Sequence, residues 1–87
     1  MILGVGVDTV LLARVESAYS RFGDRFSKKI LSVQELSSGT VDARLLAKRF
    51  AVKEAIAKAL GTGFRGGITM PSMSIVKTEL NEPKVIL

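Results

Sequence analysis

The sequence contains no cysteine, so neither a disulfide nor a thiolate metal site can form. Histidine is absent too, which removes imidazole bases, serine–histidine nucleophiles and histidine-ligated zinc together. Any catalytic metal must therefore sit on carboxylates, a donor set that suits magnesium, calcium or manganese. Aromatics make up only 6% of residues and no groove-binding motif accompanies them, which argues against a small basic nucleic-acid-binding module. No apolar run approaches the ~20 residues a membrane helix needs. The apolar start, Met1 to Val7, lacks a basic leader and is interrupted by Asp8, so no signal peptide is expected. Together with the missing cysteine, this accords with a cytoplasmic protein and no membrane partner.

What is present bounds the chain to one small domain, residues 1–87, of ordinary soluble composition: 47% hydrophobic and 24% charged. A domain this short buries only about 60–65% of the surface of its unfolded chain, so a metal or partner subunits are natural supplements. The net charge is +5, and from Arg44 to Arg65 six basic residues face one acid, Glu54. Such an excess favours an acidic partner or a phosphate-bearing ligand.

Residues 2–8 alternate as a strand would, with Gly4 and Gly6 on the same face as Asp8. A helix is expected from about Val10 to Arg21, capped by Asp8 or Thr9 and ended by Gly23. Asp24 can cap a short second turn, and Ser32-Val-Gln-Glu35 has capping-box spacing. The longest helix is expected from Val41 to Leu60, capped by Thr40 and stopped by Gly61. Its apolar arc comprises Leu45, Leu46, Phe50, Val52, Ile56, Ala57 and Leu60. Lys53 projects within that arc, so it must snorkel or find a partner. Glu54 and Lys58 sit one turn apart on a different face, with Ala47 and Ala51. Met73–Thr78 and Lys84–Leu87 read as two strands joined through Leu80-Asn-Glu-Pro83.

The loop Gly61-x-Gly63-x-x-Gly66 matches a dinucleotide fingerprint by letter, but it follows a helix and leads to a strand, the reverse of what that motif requires. Its backbone N–H groups can still form a phosphate nest, or simply end the helix. On the residues alone Asp8 reads first as a helix cap, and Glu54 with Lys58 as a surface pair worth about 0.2–0.5 kcal/mol. If the first strand's end packs beside the long helix, the same three residues can build a magnesium and phosphate site. Arg14 and Arg21 share a helix face, and with Arg25, Lys28 and Lys29 they make the first helical region basic.

Two segments resemble a known family. Gly4-Val-Gly-Val-Asp8, followed by Arg14, resembles the amino-terminal motif of bacterial holo-acyl-carrier-protein synthases. Arg49-Phe-Ala-Val-Lys-Glu-Ala-Ile-Ala-Lys-Ala-Leu-Gly-Thr-Gly63 resembles their longer second signature. The resemblance implies an α+β fold, a short antiparallel sheet packed on a long central helix. It implies transfer of 4'-phosphopantetheine from coenzyme A to a serine of an apo acyl carrier protein in fatty acid biosynthesis. By the same likeness, Asp8 and Glu54 hold Mg2+ and Lys58 contacts the phosphates. Gly61, Thr62, Gly63, Arg65 and Gly66 then bind coenzyme A, and Arg14, Arg21, Arg25 and Phe26 dock the carrier. Either Glu54 or a water on the metal can take the serine proton. Members usually form homotrimers with active sites between subunits.

The sequence departs from the family at Leu11, where glutamate is common, and in Phe64-Arg-Gly-Gly67. Family chains also continue beyond Leu87 into a histidine-bearing strand, so the domain is expected to be incomplete here. A truncated relative that binds carrier protein without catalysis is the alternative reading.

Overall fold

The computed structural model describes residues 7–61, 69–77, 80 and 83–86. Four helices come first: α1 (Thr9–Phe22), α2 (Asp24–Ile30), α3 (Val33–Ser37) and α4 (Ala43–Ala59). A 3-10 turn (Met70–Ser72) then leads to β1 (Ser74–Lys77) and β2 (Pro83–Ile86). The strands pair antiparallel, with Ile75 opposite Val85. The fold is thus α+β, mostly helical, with its sheet packed on the end of the long helix.

Local chemistry sets the helix ends. Asp8 caps α1, its Oδ1 accepting from Val10 N at 2.6 Å. Gly23 ends α1 by donating its N–H to Tyr19 O at 2.8 Å. Its φ of 56° and ψ of −130° lie where a side chain is strained, and the sharp turn makes Gly23 the cap of α2 as well. Asp24 is therefore the first residue of α2 and not its cap, contrary to expectation. The capping box at α3 is present in both directions, Ser32 with Glu35. The long helix starts later than its pattern implies. Asp42, whose Oδ1 accepts from Leu45 N at 2.7 Å, caps it in place of Thr40. A charged acceptor answers the helix dipole better than a hydroxyl does.

Two apolar clusters share α4. Its first half gives Leu46 and Ala47 to a cluster with Val15, Ile30 and Leu31. Its second half gives Ile56 and Ala57 to a cluster with Met73, against which Val85 of β2 packs. Ala47 belongs to the core and not to the Glu54 face: it is fully buried where α1 and α4 pack. Leu60, expected in the core, is 47% exposed because it lies past the last helical turn.

Between the clusters lies a buried charge network. Lys53 is fully buried, and its Nζ donates to Ile30 O at 2.6 Å, to Met70 O at 3.0 Å and to Glu35 Oε1. Glu35 Oε1 also accepts from Ser32 N at 2.9 Å, and its Oε2 accepts from Ile75 N at 3.2 Å. Arg49 Nε lies 3.1 Å from Oε2 but makes no hydrogen bond to it, so this contact is charge attraction alone. A buried lysine survives when its donors are filled, and here three acceptors fill them. Burial still pulls the Lys53 ammonium below its ordinary value; the hydrogen bond and charge of Glu35 push back, and Arg49 adds to the lowering.

Breaking this pair should be costly. Lys53→Met is expected to destabilise by about 3–5 kcal/mol, because it strands the Glu35 carboxylate. Urea unfolding measures this; a loss under ~1 kcal/mol would show that the pair contributes little. Since the folded Lys53 value lies below the unfolded one, the unfolded chain binds more protons in the interval between them. Its contribution to stability therefore rises with pH over the alkaline interval ending near 10.5. The stability gap between wild type and Lys53→Met should widen there, and a gap independent of pH would contradict this assignment. Gly23→Ala meets no atom within 4 Å, so its cost is conformational, about 1–3 kcal/mol, whereas Gly39→Ala should be nearly neutral. Thermal melts of the two variants decide it; equal melting temperatures would remove the constraint assigned to Gly23.

Candidate active site

Two helices build the site. Capping α1 fixes Asp8 at the helix start, where partial positive charge favours an anion. The cap occupies Oδ1, and among the described residues no donor reaches Oδ2. Glu54 lies on α4, half-buried, with Lys58 one turn later and Nζ 3.2 Å from its Oε1. The Lys58 side chain is 74% exposed, so this is a weak surface pair whose ammonium can leave readily.

The packing of α1 on α4 brings these groups together. Asp8, Arg14, Glu54 and Lys58 all line one open groove of about 770 Å³. Its walls between them are short or apolar: Leu11 and Ala18 from α1, Ala51 and Ala55 from α4. Small residues on the Glu54 side leave room for a ligand, and Leu11 gives this groove an apolar patch. Two carboxylates face two cations here. That mixture suits a divalent ion shared with an anionic ligand better than either alone.

The donor set fits magnesium. Each carboxylate has one oxygen engaged within the protein, and no further donor reaches the other among the described residues. Magnesium commonly takes one or two carboxylates and completes its octahedron with water and phosphate. Among the described residues no cluster of three or more acidic residues forms.

The remaining sequence candidates divide. Arg14 faces the groove, whereas Arg25 and Phe26, with Phe22 and Lys29, line a smaller cleft of about 100 Å³. Phe26 lines both, and it also packs on the core. Arg21 is exposed, with its guanidinium 5.4 Å above the Phe22 ring, in neither cleft. Gly61 takes the positive φ of a helix stop, 77°, and donates to Lys58 O at 3.0 Å. Thr62, Gly63, Arg65 and Gly66 lie outside the described residues, as do Ile2 to Gly6 of the expected first strand. The Glu35–Lys53–Arg49 network was not foreseen as a unit. Its signals were the capping box, which placed Glu35, and the lysine in the apolar arc, which lacked a named partner.

Comparison with known proteins shows the family. A family model described as the 4'-phosphopantetheinyl transferase superfamily matches residues 4–87. A holo-[acyl-carrier-protein] synthase of Klebsiella pneumoniae is 47% identical over 99% of this chain and 71% of its own length. One from Desulfovibrio desulfuricans is 48% identical over the whole chain and 71% of its own length. The crystal structure of the holo-[acyl-carrier-protein] synthase from Neisseria meningitidis superposes with a TM-score of 0.77 at 39% identity. It covers 99% of this chain and 71% of that one. With a shared fold, matching signatures and a family model spanning nearly every residue, the chain belongs to the 4'-phosphopantetheinyl transferase superfamily.

Proposed function

We propose that this protein transfers 4'-phosphopantetheine from coenzyme A to a serine hydroxyl of an apo acyl carrier protein, in a magnesium-dependent reaction serving fatty acid biosynthesis in the cytoplasm. The observation that carries the reading is the shared groove: Asp8, Glu54, Lys58 and Arg14 line one space between α1 and α4. The names of the relatives, holo-[acyl-carrier-protein] synthases, support the same chemistry.

In this reading Asp8 and Glu54 would hold Mg2+. The chemistry such an ion would supply is neutralisation of charge on the coenzyme A pyrophosphate. Lys58 turns from Glu54 to the phosphates and stabilises negative charge that builds on the leaving group. The serine oxygen forms a bond to phosphorus, the phosphate–phosphate linkage breaks, and adenosine 3',5'-bisphosphate departs. The hydroxyl proton passes to the Glu54 carboxylate or to water in the same step. Gly61, Thr62, Gly63, Arg65 and Gly66 belong in this reading to the segment that binds the nucleotide phosphates. Arg14, Arg21, Arg25 and Phe26 receive the acidic carrier, whose binding should weaken as salt screens the charges. A homotrimer with the groove between subunits belongs to this reading, and the exposure of Val10, Leu60, Leu80 and Ile86 supports it.

The test is transfer of a labelled pantetheine arm to an apo carrier. Glu54→Gln and Asp8→Asn should each lower turnover by about 100-fold or more and raise the magnesium needed for half-maximal rate. Arg14→Glu should raise KM for the carrier about 10-fold with kcat little changed. Full magnesium-dependent transfer by Glu54→Gln would sink the metal assignment. A wild type that binds carrier but never turns over would favour a non-catalytic carrier-binding role.

A further inference from the structure

We propose that Glu35 and Lys53 are positioning residues: their buried pair sets the rotation of α4 that aims Glu54 and Lys58 into the groove shared with Asp8. The inference rests on the transfer reading above and extends it to residues that do not line the groove.

A helix has no intrinsic preference for which face it turns inward; bulky buried side chains supply one. On α4 the buried residues are Leu46, Ala47, Lys53, Ile56 and Ala57. Between Ala47 and Ile56, Lys53 alone among the described side chains is buried, so it is the indexing contact for the turn that carries Glu54. On the groove side Phe50 packs on the first cluster one turn before Glu54, and Ala51 and Ala55, the neighbours of Glu54 there, are too small to resist rotation. Lys53 is suited to the task because its three acceptors come from three separate places. Ile30 O lies at the end of α2, Glu35 in α3, and Met70 O at the start of the 3-10 turn. A single nitrogen held from three directions fixes rotation and axial position together.

Glu35 is fixed in turn. Ser32 N holds one oxygen and Ile75 N the other, so the anchor reaches β1. Glu54 is the next residue after Lys53, about 100° around the helix. A rotation of ~10° moves a side-chain tip, ~5–6 Å from the axis, by about 1 Å. A displacement of that size can cost about 100-fold in rate.

The test replaces both charges of the buried pair; the Arg49 side chain, 27% exposed, then relies on solvent. Lys53→Met/Glu35→Gln in the 87-residue chain is compared with wild type by circular dichroism, Mn2+ titration calorimetry and transfer kinetics. The expected result is a folded protein with Mn2+ affinity lowered about 10-fold and kcat lowered about 10- to 100-fold. KM for coenzyme A should change less than either. The same pair of changes in a Glu54→Gln background should cost no further Mn2+ affinity, because the residue they position is already gone. A purely structural role would lower affinity alike in both backgrounds, and that result overturns the proposal. So does a folded double variant with wild-type Mn2+ affinity and turnover. If the double variant does not fold, Glu35→Gln alone, which keeps neutral hydrogen bonds, is read by the same criteria. Wild type that binds Mn2+ without transferring the arm fails the functional reading only, and the calorimetric cycle still decides positioning. Wild type that neither binds Mn2+ nor turns over overturns both.

Discussion

A single ammonium group organises this small fold. Lys53 enters a space between two apolar clusters, and it satisfies acceptors from α2, α3 and the 3-10 turn at once. Glu35 extends the constraint to the sheet through Ile75. Apolar residues at both positions together can fill the volume as well, and often with comparable stability. They cannot choose one arrangement among several similar ones, because apolar contact has no direction. Hydrogen bonds do.

The groove depends on that arrangement. Asp8 is placed by its own helix, since the cap geometry holds its carboxylate at the start of α1 whatever else the chain does. Glu54 and Lys58 are placed by packing, because only the way α4 sits on α1 decides whether they face Asp8 or solvent. The site therefore joins a locally determined half to one determined at a distance. The division also explains the site's chemical character. Both carboxylates keep one oxygen within the protein and offer the other, and the cations beside them are exposed and free to move. That is the character the proposed transfer reading asks of the groove.

Membership of the transferase superfamily sits comfortably with a chain that lacks histidine and cysteine. Transfer of a phosphate-linked group needs charge neutralisation and alignment more than a side-chain nucleophile, and carboxylates, lysine and arginine supply both. The relatives named above are longer, and the chain matches 71% of their length. The residues that converge on the groove all fall within the part they share.

Much of this was legible in the amino-acid order. The cap at Asp8, the stop at Gly23, the Ser32–Glu35 box and the pairing of Glu54 with Lys58 follow from neighbours a few positions apart, where backbone geometry permits few alternatives. The absence of histidine and cysteine already confined any metal to carboxylates. Periodicity also marked Lys53 as a problem needing a partner. It could not name Glu35, 18 positions away, nor the carbonyls of Ile30 and Met70, because those meet it only after α2, α3 and the 3-10 turn have packed. The same limit hid the burial of Ala47 and the exposure of Leu60. Local order settles which groups a helix carries; the tertiary structure alone decides which face each helix turns inward, since that is chosen by contacts between segments distant in the chain.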